Sequence, residues 1–322
     1  MLTDHTGKTD IAKLTAIAED VTRDLMKTRE WGKPSSLSPK MQGIDTHQFG
    51  IAIHTAEGET VLAGKADATF TIQSISKIFS LTLALEIFSD KVWDRVGKEP
   101  SGDPYNSIVD LERQKGIPRN PLINPGALVI NDMLHKASRD DDGHTNVRDL
   151  MNSLLDGEEV GIDDEVAGSE GGSNFANRAM ANLSKHFENF ENDIEPVLKE
   201  YVDQCAITMS SRQLARAGRY LMVERADSDD EKALRRARRV RRVNALMLTC
   251  GQYDGSGEFA YRVGLPAKSG VGGGILAVVP NIASICVWAP GLDEDGNSLL
   301  GTEALARLSQ EMDWSVFGAL SH

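Results

Sequence analysis

Cysteine is scarce in this sequence, and long apolar runs are absent. The chain has three cysteines, Cys205, Cys250 and Cys286, and their odd number and wide spacing exclude the disulfide framework of a small secreted domain. No apolar run approaches the ~20 residues that a helix needs to cross a bilayer. The opening MLTDHTGKTDIAKL lacks the basic start and apolar core of a secretory signal. We therefore expect a cytoplasmic protein with reduced thiols and no membrane partner.

Positive charge is also in short supply. The 322 residues carry 35 Lys and Arg against 48 Asp and Glu, a formal net charge of −13. Nucleic acids and anionic membranes bind basic surfaces, so this balance argues against both as partners. The basic stretch RRARRVRR at 235–242 is more typical of a solvated helix face or an intersubunit salt-bridge patch than of a nucleic-acid site. The seven histidines show no metal-site spacing, so we expect no metal.

The hydrophobic pattern changes along the chain. Residues 11–31 show helical periodicity, and FGIAIHTAEGETVLAGKA predicts two strands around the turn signal Glu57-Gly58. From about residue 100 to 250 the pattern predicts only helices. After residue 257 it predicts strands again and then a helix near the end. The segments that carry this last prediction are EFAYRVGL, GILAVVPN and ASICVWAP for the strands and TEALARLSQEM for the helix.

These blocks predict an α+β fold. A mixed or antiparallel sheet, built from both chain ends and flanked by helices, would carry a large all-helical part inserted into it. We expect a single domain over residues 1–322, with its sheet at about 11–70 and 255–322 and its helical part at about 71–250.

The segment QSISKIFSLTLALEIF at 73–88 places Lys77 among side chains that are nearly all apolar. A helix that is apolar on every side is buried, and a buried amine without a partner favours its neutral, basic form. Ser74 lies three residues earlier on the same face, in a first turn whose backbone N–H groups could stabilise an oxyanion. Ser74 and Lys77 are thus a candidate nucleophile and base. The alternative is a capping serine and a lysine that snorkels to the surface.

A second motif, KSGVGGG at 268–274, lies far downstream. It matches the KTG-type strand that lines the active site of β-lactamases and penicillin-binding proteins, which also carry an SxxK helix. Its glycines would let the backbone of Val271 approach a substrate and direct an N–H group at its oxygen. Taken alone, the stretch is typical of a hairpin turn. A phosphate-binding loop is excluded because the required GK[ST] does not follow.

Several further segments occur in a fixed order: FTIQSISK, PLINPGAL, GSEGGSNFANRA, YVDQC, QYDGSGEFAYRVGLPAKSGVGGGILAVVP and LDEDGNS. Together they strongly resemble the serine-dependent glutaminases of the β-lactamase-like fold, from about residue 30 to the C-terminus. The resemblance implies hydrolysis of L-glutamine to L-glutamate and ammonia, no cofactor, and a homodimer or homotetramer.

The resemblance also assigns site residues. It makes Ser74 the nucleophile and Lys77 its base, with Tyr201 and Tyr253 as unranked candidates for a proton relay. A carboxylate such as Glu170 suits the α-ammonium of an amino acid, while amides and phenols suit its carboxylate and side-chain amide. The substrate-binding set that it implies is Ser74, Asn124, Glu170, Asn177, Tyr201, Tyr253 and Val271. Read without the resemblance, Asn124 could simply begin a helix and Tyr253 could simply occupy a turn.

Two positions depart from the family pattern. Leu37-Ser38-Pro39 stands where the family usually has YIP, so a tyrosine hydroxyl expected near the substrate is missing. The family's NAGA becomes Asn124-Pro125-Gly126-Ala127, and a proline at a first helical position removes no N–H that the helix needs.

The expected mechanism is covalent amide hydrolysis, with the oxyanion held by the N–H groups of Ser74 and Val271. Two alternatives remain open from the sequence. One is a β-lactam- or peptide-hydrolysing acyl-enzyme of the same fold. The other is a non-catalytic glutamine sensor, with which the leucine at position 37 is compatible.

Overall fold

The computed structural model describes residues 9–102, 106–140, 146–222 and 230–318, without the side chains of residues 39, 139, 140 and 169–173. The chain divides into two compact units. The first comprises Met1–Phe70 and Met209–His322, and the second comprises Thr71–Thr208. The second unit is therefore an insertion in the first, and the chain enters and leaves it within two short strands.

Thirteen α-helices and eight strands make up the described part of the chain. The strands are β1 Gly50–Thr55, β2 Thr60–Gly64, β3 Thr69–Thr71, β4 Gly161–Ile162, β5 Ile207–Ser210, β6 Ala267–Gly270, β7 Gly274–Val279 and β8 Ala283–Trp288. The helices are α1 Ile11–Leu25, α2 Pro39–Gln42, α3 Ser76–Phe88, α4 Ile108–Arg113, α5 Asn124–Asp140, α6 Val147–Leu154, α7 Asp164–Ser173, α8 Phe175–His186, α9 Ile194–Cys205, α10 Ser211–Ala217, α11 Glu231–Cys250, α12 Ser256–Arg262 and α13 Leu299–Glu311. Among these described helices, none has the length and hydropathy needed to span a membrane.

An antiparallel five-stranded sheet, in the order β2–β1–β8–β7–β6, forms the centre of the first unit. Strand β1 pairs with β2 in the predicted hairpin and with β8 on its other side, so one sheet contains both chain ends. This confirms the predicted α+β architecture with a sheet built from both ends of the sequence.

Both faces of this sheet are covered, because β1, β7 and β8 are buried at every position. On one face, Ile51 and Ile285 join a core that includes residues of α1 and α13. On the other face, Leu276 and Ser284 lie against Gly218, just after α10. The sequence analysis placed residues 209–250 in the helical part, but they belong to the unit with the sheet. Helical periodicity shows that a helix has a buried face and does not show what that face contacts.

The cysteines are buried and none forms a disulfide, as the sequence predicts. Complete burial raises the pKa of the Cys286 thiol to about 12. A thiol that stays protonated is unreactive, so Cys286 is a packing residue.

The strand predicted for EFAYRVGL is wrong, because this segment forms helix α12. Its residues Phe259, Tyr261 and Val263 alternate in the way that a half-buried strand would. However, Phe259 and Val263 are also four residues apart, and these two are buried at 4% and 1% exposure while Tyr261 is 88% exposed. The segment therefore buries one helical face, and the apparent period of two was a coincidence of spacing.

The second unit is mostly helical, with a core formed by side chains of α4, α5, α8 and α9. The sequence analysis predicted only helices here, and this prediction is wrong, because β4 pairs antiparallel with β5. The two strands are short, and Ile162 and Ile207 face each other in the register. A strand of two residues leaves no periodicity that a sequence window could detect.

A buried ion pair connects three segments of the second unit. Asp132 on α5 is fully buried and accepts a hydrogen bond from Arg95 Nη2 at 2.6 Å. It also accepts backbone N–H groups of Glu191 at 3.0 Å and Asn192 at 2.8 Å. Burial by itself raises the pKa of the Asp132 carboxyl, but these donors outweigh it and hold the pKa below its ordinary value of 3.8. The charged carboxylate is therefore the form that stabilises the fold.

Replacing Asp132 with asparagine should destabilise the protein by roughly 3 kcal/mol at pH 7, because the largely buried Arg95 loses its buried partner at 2.6 Å and keeps only the half-exposed Glu191 at 3.4 Å. Since the pKa of Asp132 is lowered on folding, the wild type keeps this stabilisation above the unfolded-state pKa and loses it as the pH falls through the lowered value. The difference between wild type and Asp132→Asn in urea unfolding should therefore shrink below about pH 4.

Asp67→Asn serves as the matched control, because Asp67 pairs with Arg212 at 2.6 Å on the surface with its side chain 67% exposed. This control should cost about 1 kcal/mol or less. Equal losses for the two variants, or a pH-independent difference for Asp132→Asn, would contradict the assignment.

Candidate active site

Ser74 lies in a 3₁₀ turn, Gln73–Ile75, that leads directly into α3. Gln73, the residue before it, has a φ of 50°, in the left-handed region that non-glycine residues seldom occupy. The turn is fixed at its start, because the Ile72 N–H donates to the Ile207 carbonyl at 2.9 Å. Strain of this kind persists where surrounding structure enforces it, and it is common at functional sites.

Lys77, in the first turn of α3, is completely buried at 0% exposure. Its Nζ donates to Asn124 Oδ1 at 2.7 Å and lies 5.9 Å from the centroid of the Tyr201 ring. The rest of α3 is apolar around most of its circumference, as the sequence predicts. The structure therefore excludes the alternative of a lysine that snorkels to the surface.

Asn124 is the centre of a hydrogen-bond network within the second unit. Its Oδ1 accepts from the Tyr201 hydroxyl at 3.2 Å as well as from Lys77, and its Nδ2 donates to Asn177 Oδ1 at 3.2 Å. Tyr201 and Asn177 are both 4% exposed. We call Lys77, Asn124, Asn177 and Tyr201 the amide network. The structure thus brings together residues that lie far apart in the sequence and that the resemblance assigned to one site.

The sequence before α5 explains how Asn124 is positioned. The side-chain oxygen of Asn120 accepts the N–H groups of Leu122 at 3.0 Å and Ile123 at 3.2 Å, which folds the chain into the helix start. A Cβ atom on Gly126 would lie 1.9 Å from the Asn120 carbonyl oxygen, so only glycine fits there. The NPGA sequence is therefore compatible with the helix start, and the close approach at Gly126 fixes its direction.

Two other helices supply Asn177 and Tyr201. Asn174 caps α8, its side chain accepting the Asn177 N–H at 3.3 Å. Arg178, one residue further on, pairs with Glu195 of α9 at 2.7 Å. This ion pair links the helix of Asn177 to the helix that carries Tyr201. Glu170 lies in α7, and its side chain falls outside the part of the chain that the structure describes.

Tyr253, in the first unit, lies in a tight turn at a φ of 51°. Ser256 Oγ donates to the Tyr253 carbonyl at 2.8 Å and accepts the Gln252 N–H at 3.0 Å. Lys268 is fully buried and its Nζ lies 4.1 Å from the centroid of the Tyr253 ring. The same Nζ donates to the carbonyl oxygens of Gly251 at 2.9 Å and Ser269 at 2.8 Å. The buried lysine therefore ties the Tyr253 turn to strand β6.

Val271 begins the turn between β6 and β7, in the same unit. Trp288 Nε1 donates to the Gly272 carbonyl at 3.0 Å, and the Gly273 N–H donates to Gly270 at 2.9 Å. Gly273 has a φ of 90°, and a Cβ there would lie 2.5 Å from the Ala289 carbonyl oxygen. The turn is therefore fixed by neighbouring strands, and glycine is required at its end. Among the described residues, the Val271 N–H donates to no acceptor.

The sequence analysis did not assign a role to Lys268. A usable signal was present, since Lys268 is the one charged residue between Arg262 and Asp293. A single lysine within an uncharged run that forms buried strands indicates an internal ammonium with a dedicated set of acceptors. Leu37, which replaces the family's tyrosine, is 48% exposed. The described residues contain no group of His, Cys, Asp and Glu that could hold a metal ion.

Comparison with known proteins identifies the family of the chain. Residues 32–317 match the sequence model of the family described as Glutaminase. A glutaminase of Azorhizobium caulinodans is 49% identical over 305 residues, which are 95% of this chain and 99% of the relative. A glutaminase of Rhodopseudomonas palustris is 48% identical over 299 residues, 93% of this chain and 96% of the relative.

Solved structures give the same result. The probable glutaminase ybaS superposes with a TM-score of 0.85 at 33% identity, over 96% of this chain and 99% of that one. The probable glutaminase from Bacillus subtilis complexed with 6-diazo-5-oxo-L-norleucine gives a TM-score of 0.79 at 30% identity, over 94% and 96% of the two chains. Because the match extends over both units and nearly the whole length of each relative, the chain belongs to the glutaminase family of amidohydrolases.

Proposed function

We propose that the protein hydrolyses L-glutamine through a γ-glutamyl ester on Ser74, with Lys77 as the base. The observation that carries this proposal is the environment of Lys77, whose amine is fully buried and donates to a neutral amide oxygen at 2.7 Å. Burial disfavours the ammonium form of an amine, and an amide compensates a charge less well than a carboxylate would. A neutral Lys77 can accept a proton from the serine three residues before it.

The steps follow from this assignment. Ser74 Oγ transfers its proton to Lys77 Nζ and attacks the side-chain amide carbon of glutamine, whose oxygen becomes an oxyanion. The C–N bond then breaks, ammonia leaves with the proton held by Lys77 or a tyrosine, and the ester remains. Water attacks the ester while Lys77 takes a proton from the water. The C–O bond to Ser74 then breaks, Lys77 returns that proton to Ser74 Oγ, and glutamate is released. Backbone N–H groups of Ser74 and Val271 are the proposed donors to the oxyanion.

Recognition of the amino acid is assigned to the remaining residues. Asn124, Asn177 and Tyr201 share one network, which supports a common role in holding the amide or carboxylate of the substrate. Glu170, Tyr253 and Val271 enter the proposal from the sequence resemblance. The related protein from Bacillus subtilis was solved with 6-diazo-5-oxo-L-norleucine, an amino acid with a diazoketone side chain, so we infer an amino acid site here too.

Ser74→Ala should lower ammonia release from glutamine by at least about 10³-fold, because the nucleophile is removed. Circular dichroism should show an unchanged fold. In the wild type, 6-diazo-5-oxo-L-norleucine should lose N₂ and form a bond to Ser74 Oγ, which peptide mass spectrometry would locate. The alanine variant should not be labelled at this position.

Ser80→Ala is the matched control, since Ser80 is a buried serine of the same helix, 1% exposed, whose Oγ donates to the Lys77 carbonyl at 3.2 Å. It should retain turnover within about threefold, a change of less than 1 kcal/mol in the barrier. Appreciable ammonia release by Ser74→Ala would overturn the nucleophile assignment.

Lys77→Met should lower kcat by about 10²–10⁴-fold, the usual contribution of a positioned general base, with a much smaller change in KM. Lys77→Arg should not restore turnover, because a guanidinium cannot lose its proton to act as a base. Steady-state kinetics with glutamine measures both. Asn177→Ala should instead raise KM more than it lowers kcat, since it removes a binding group. Substantial activity in Lys77→Arg would contradict the proposal.

The alternatives are tested by the choice of substrate. Wild-type protein should release ammonia and glutamate from L-glutamine and should leave a chromogenic penicillin intact. Binding of glutamine without release of glutamate would favour the sensor, and hydrolysis of the penicillin would favour the other acyl-enzyme. Asparagine in the same assay decides whether the shorter amide is accepted.

We also infer a cytoplasmic homodimer or homotetramer. The family resemblance carries this inference, and Phe175, Tyr261 and Phe317, which are 74%, 88% and 71% exposed, are the large aromatic side chains available to such an interface. Light scattering on the purified protein should give a mass of two or four chains. A monomeric mass at micromolar concentration would contradict this inference.

A further inference from the structure

Lys268 of β6 is a buried lysine to which the proposed reaction assigns no role. It is 0% exposed, so its amine cannot touch a substrate. Any effect that it has on a reaction must therefore pass through the groups that it contacts. One of these groups is the ring of Tyr253, a residue that the family resemblance assigns to the site.

The contacts of Lys268 Nζ are of the kind that stabilise a cation. An ammonium group has three N–H donors. Lys268 Nζ donates to the carbonyl oxygens of Gly251 at 2.9 Å and Ser269 at 2.8 Å, and it lies 4.1 Å from the centroid of the Tyr253 ring. The face of an aromatic ring is negative, so it attracts a desolvated ammonium group at this distance. This attraction holds the ring in a defined place relative to β6.

The side chain of Tyr253 requires such a contact. Its φ of 51° is in the left-handed region, where a bulky residue is strained unless the surrounding structure enforces the conformation. Ser256 Oγ donates to the Tyr253 carbonyl at 2.8 Å, and Asn297 Nδ2 donates to the Gln252 carbonyl at 3.2 Å. These two bonds hold the backbone of the turn. A fixed backbone still leaves a tyrosine several side-chain rotamers, and Lys268 contacts the ring itself.

Strand β6 gives this contact a rigid base. All four residues of β6 are buried, and the strand pairs with β7 in the central sheet. The Ser269 N–H donates to the Gly251 carbonyl at 3.2 Å, and a Cβ atom on Gly251 would lie 1.7 Å from the Ala267 carbonyl oxygen. The chain before Tyr253 therefore packs directly against the strand. Since β6 also leads into the turn of Val271, one strand supports both residues that the resemblance assigns to this unit.

We propose that Lys268 is a positioning residue, which fixes the phenol of Tyr253 for the reaction by holding the ring face against a buried ammonium group. This inference rests on the proposed function, because it takes Tyr253 as part of the site of glutamine hydrolysis. Without the ammonium group, the Tyr253 hydroxyl is still present but the ring is no longer held. A displacement of about 1 Å in an active site can cost ~10²-fold in rate.

The kinetics of a double-mutant cycle test this role. Lys268→Met, which keeps an unbranched side chain, should lower kcat/KM for glutamine about tenfold or more. This loss should divide between kcat and KM in the same proportion as the loss in Tyr253→Phe. In the Tyr253→Phe background, Lys268→Met should change kcat/KM by less than about twofold, since the hydroxyl that Lys268 positions is gone. A phenylalanine ring still attracts a cation, so Lys268→Met should lower the midpoint of urea unfolding similarly in both backgrounds.

Two further variants complete the cycle. Lys268→Gln keeps N–H donors and removes the charge, and it should show the same non-additivity with Tyr253→Phe if Lys268→Met does not fold. Ser309→Ala is the matched control, since Ser309 lies in the same unit, is 4% exposed, and donates its Oγ to the Val263 carbonyl at 2.6 Å. This control should keep kcat/KM within about twofold of wild type. Additive losses in the cycle, or wild-type kinetics in Tyr253→Phe, would overturn the proposal.

Carbon-13 NMR of protein whose tyrosines are labelled at Cζ gives a result that does not depend on turnover. The chain has five tyrosines, and the resonance that disappears in Tyr253→Phe is that of Tyr253. Lys268→Met should shift or broaden this resonance and leave those of the other tyrosines unchanged. A Tyr253 resonance that Lys268→Met does not alter would overturn the proposal. A wild type without glutaminase activity would overturn the proposed function, and the NMR comparison would still decide whether Lys268 fixes the ring.

Discussion

Much of the second unit is organised around one hydrogen bond, from the buried amine of Lys77 to the amide oxygen of Asn124. An amine inside an apolar helix requires an acceptor, and a carboxylate there would hold it as an ammonium ion. An amide satisfies the donor while leaving the neutral form accessible. This hydrogen bond therefore constrains where the neighbouring helices place their side chains. Asn124 must begin its helix at a fixed place, and Tyr201 and Asn177 must satisfy the rest of its side chain.

The first unit also contains a buried lysine, which has different hydrogen-bond partners. Lys268 is also buried, but its amine is surrounded by the carbonyl oxygens of Gly251 and Ser269 and by the face of the Tyr253 ring. Carbonyl dipoles and an aromatic quadrupole stabilise a cation. The two buried lysines therefore have contrasting surroundings: Lys77 donates to a side-chain amide, and Lys268 donates to backbone carbonyls of a turn and a strand.

The sequence predicted the parts of the fold in which periodicity and chemistry agree. The hairpin of β1 and β2, the buried helix α3 and the sheet built from both chain ends follow from patterns of apolar residues. The segment EFAYRVGL was assigned to a strand because two apolar residues four apart, with a third between them, fit either period. Short β4 could not be found because its pairing depends on β5, and such long-range contacts leave no local signature.

The residues of the candidate site were predicted partly from physical reasoning and partly from the family resemblance. Ser74 and Lys77 follow from the physics of a buried amine, whereas Asn124, Asn177 and Tyr201 were identified only through the family resemblance. Spacing along the chain contains no information on which helix starts will converge, since convergence depends on packing. Lys268 received no role because the sequence analysis considered its motif only as a substrate-lining strand or a hairpin turn, although its isolation within an uncharged run was a usable signal of burial.

The insertion of the second unit into the first has a consequence for the order of assembly. Strands β1 and β8 pair directly, although the whole second unit separates them in sequence. While that unit is unfolded, bringing the two strands together closes a long, flexible loop at a cost in chain entropy. Once it is folded, Ile72 and Ile207 are joined by a hydrogen bond, so residues 73–206 no longer add to the length of the loop between β1 and β8. Folding of the inserted unit thus lowers the entropic cost of pairing β1 with β8 in the five-stranded sheet.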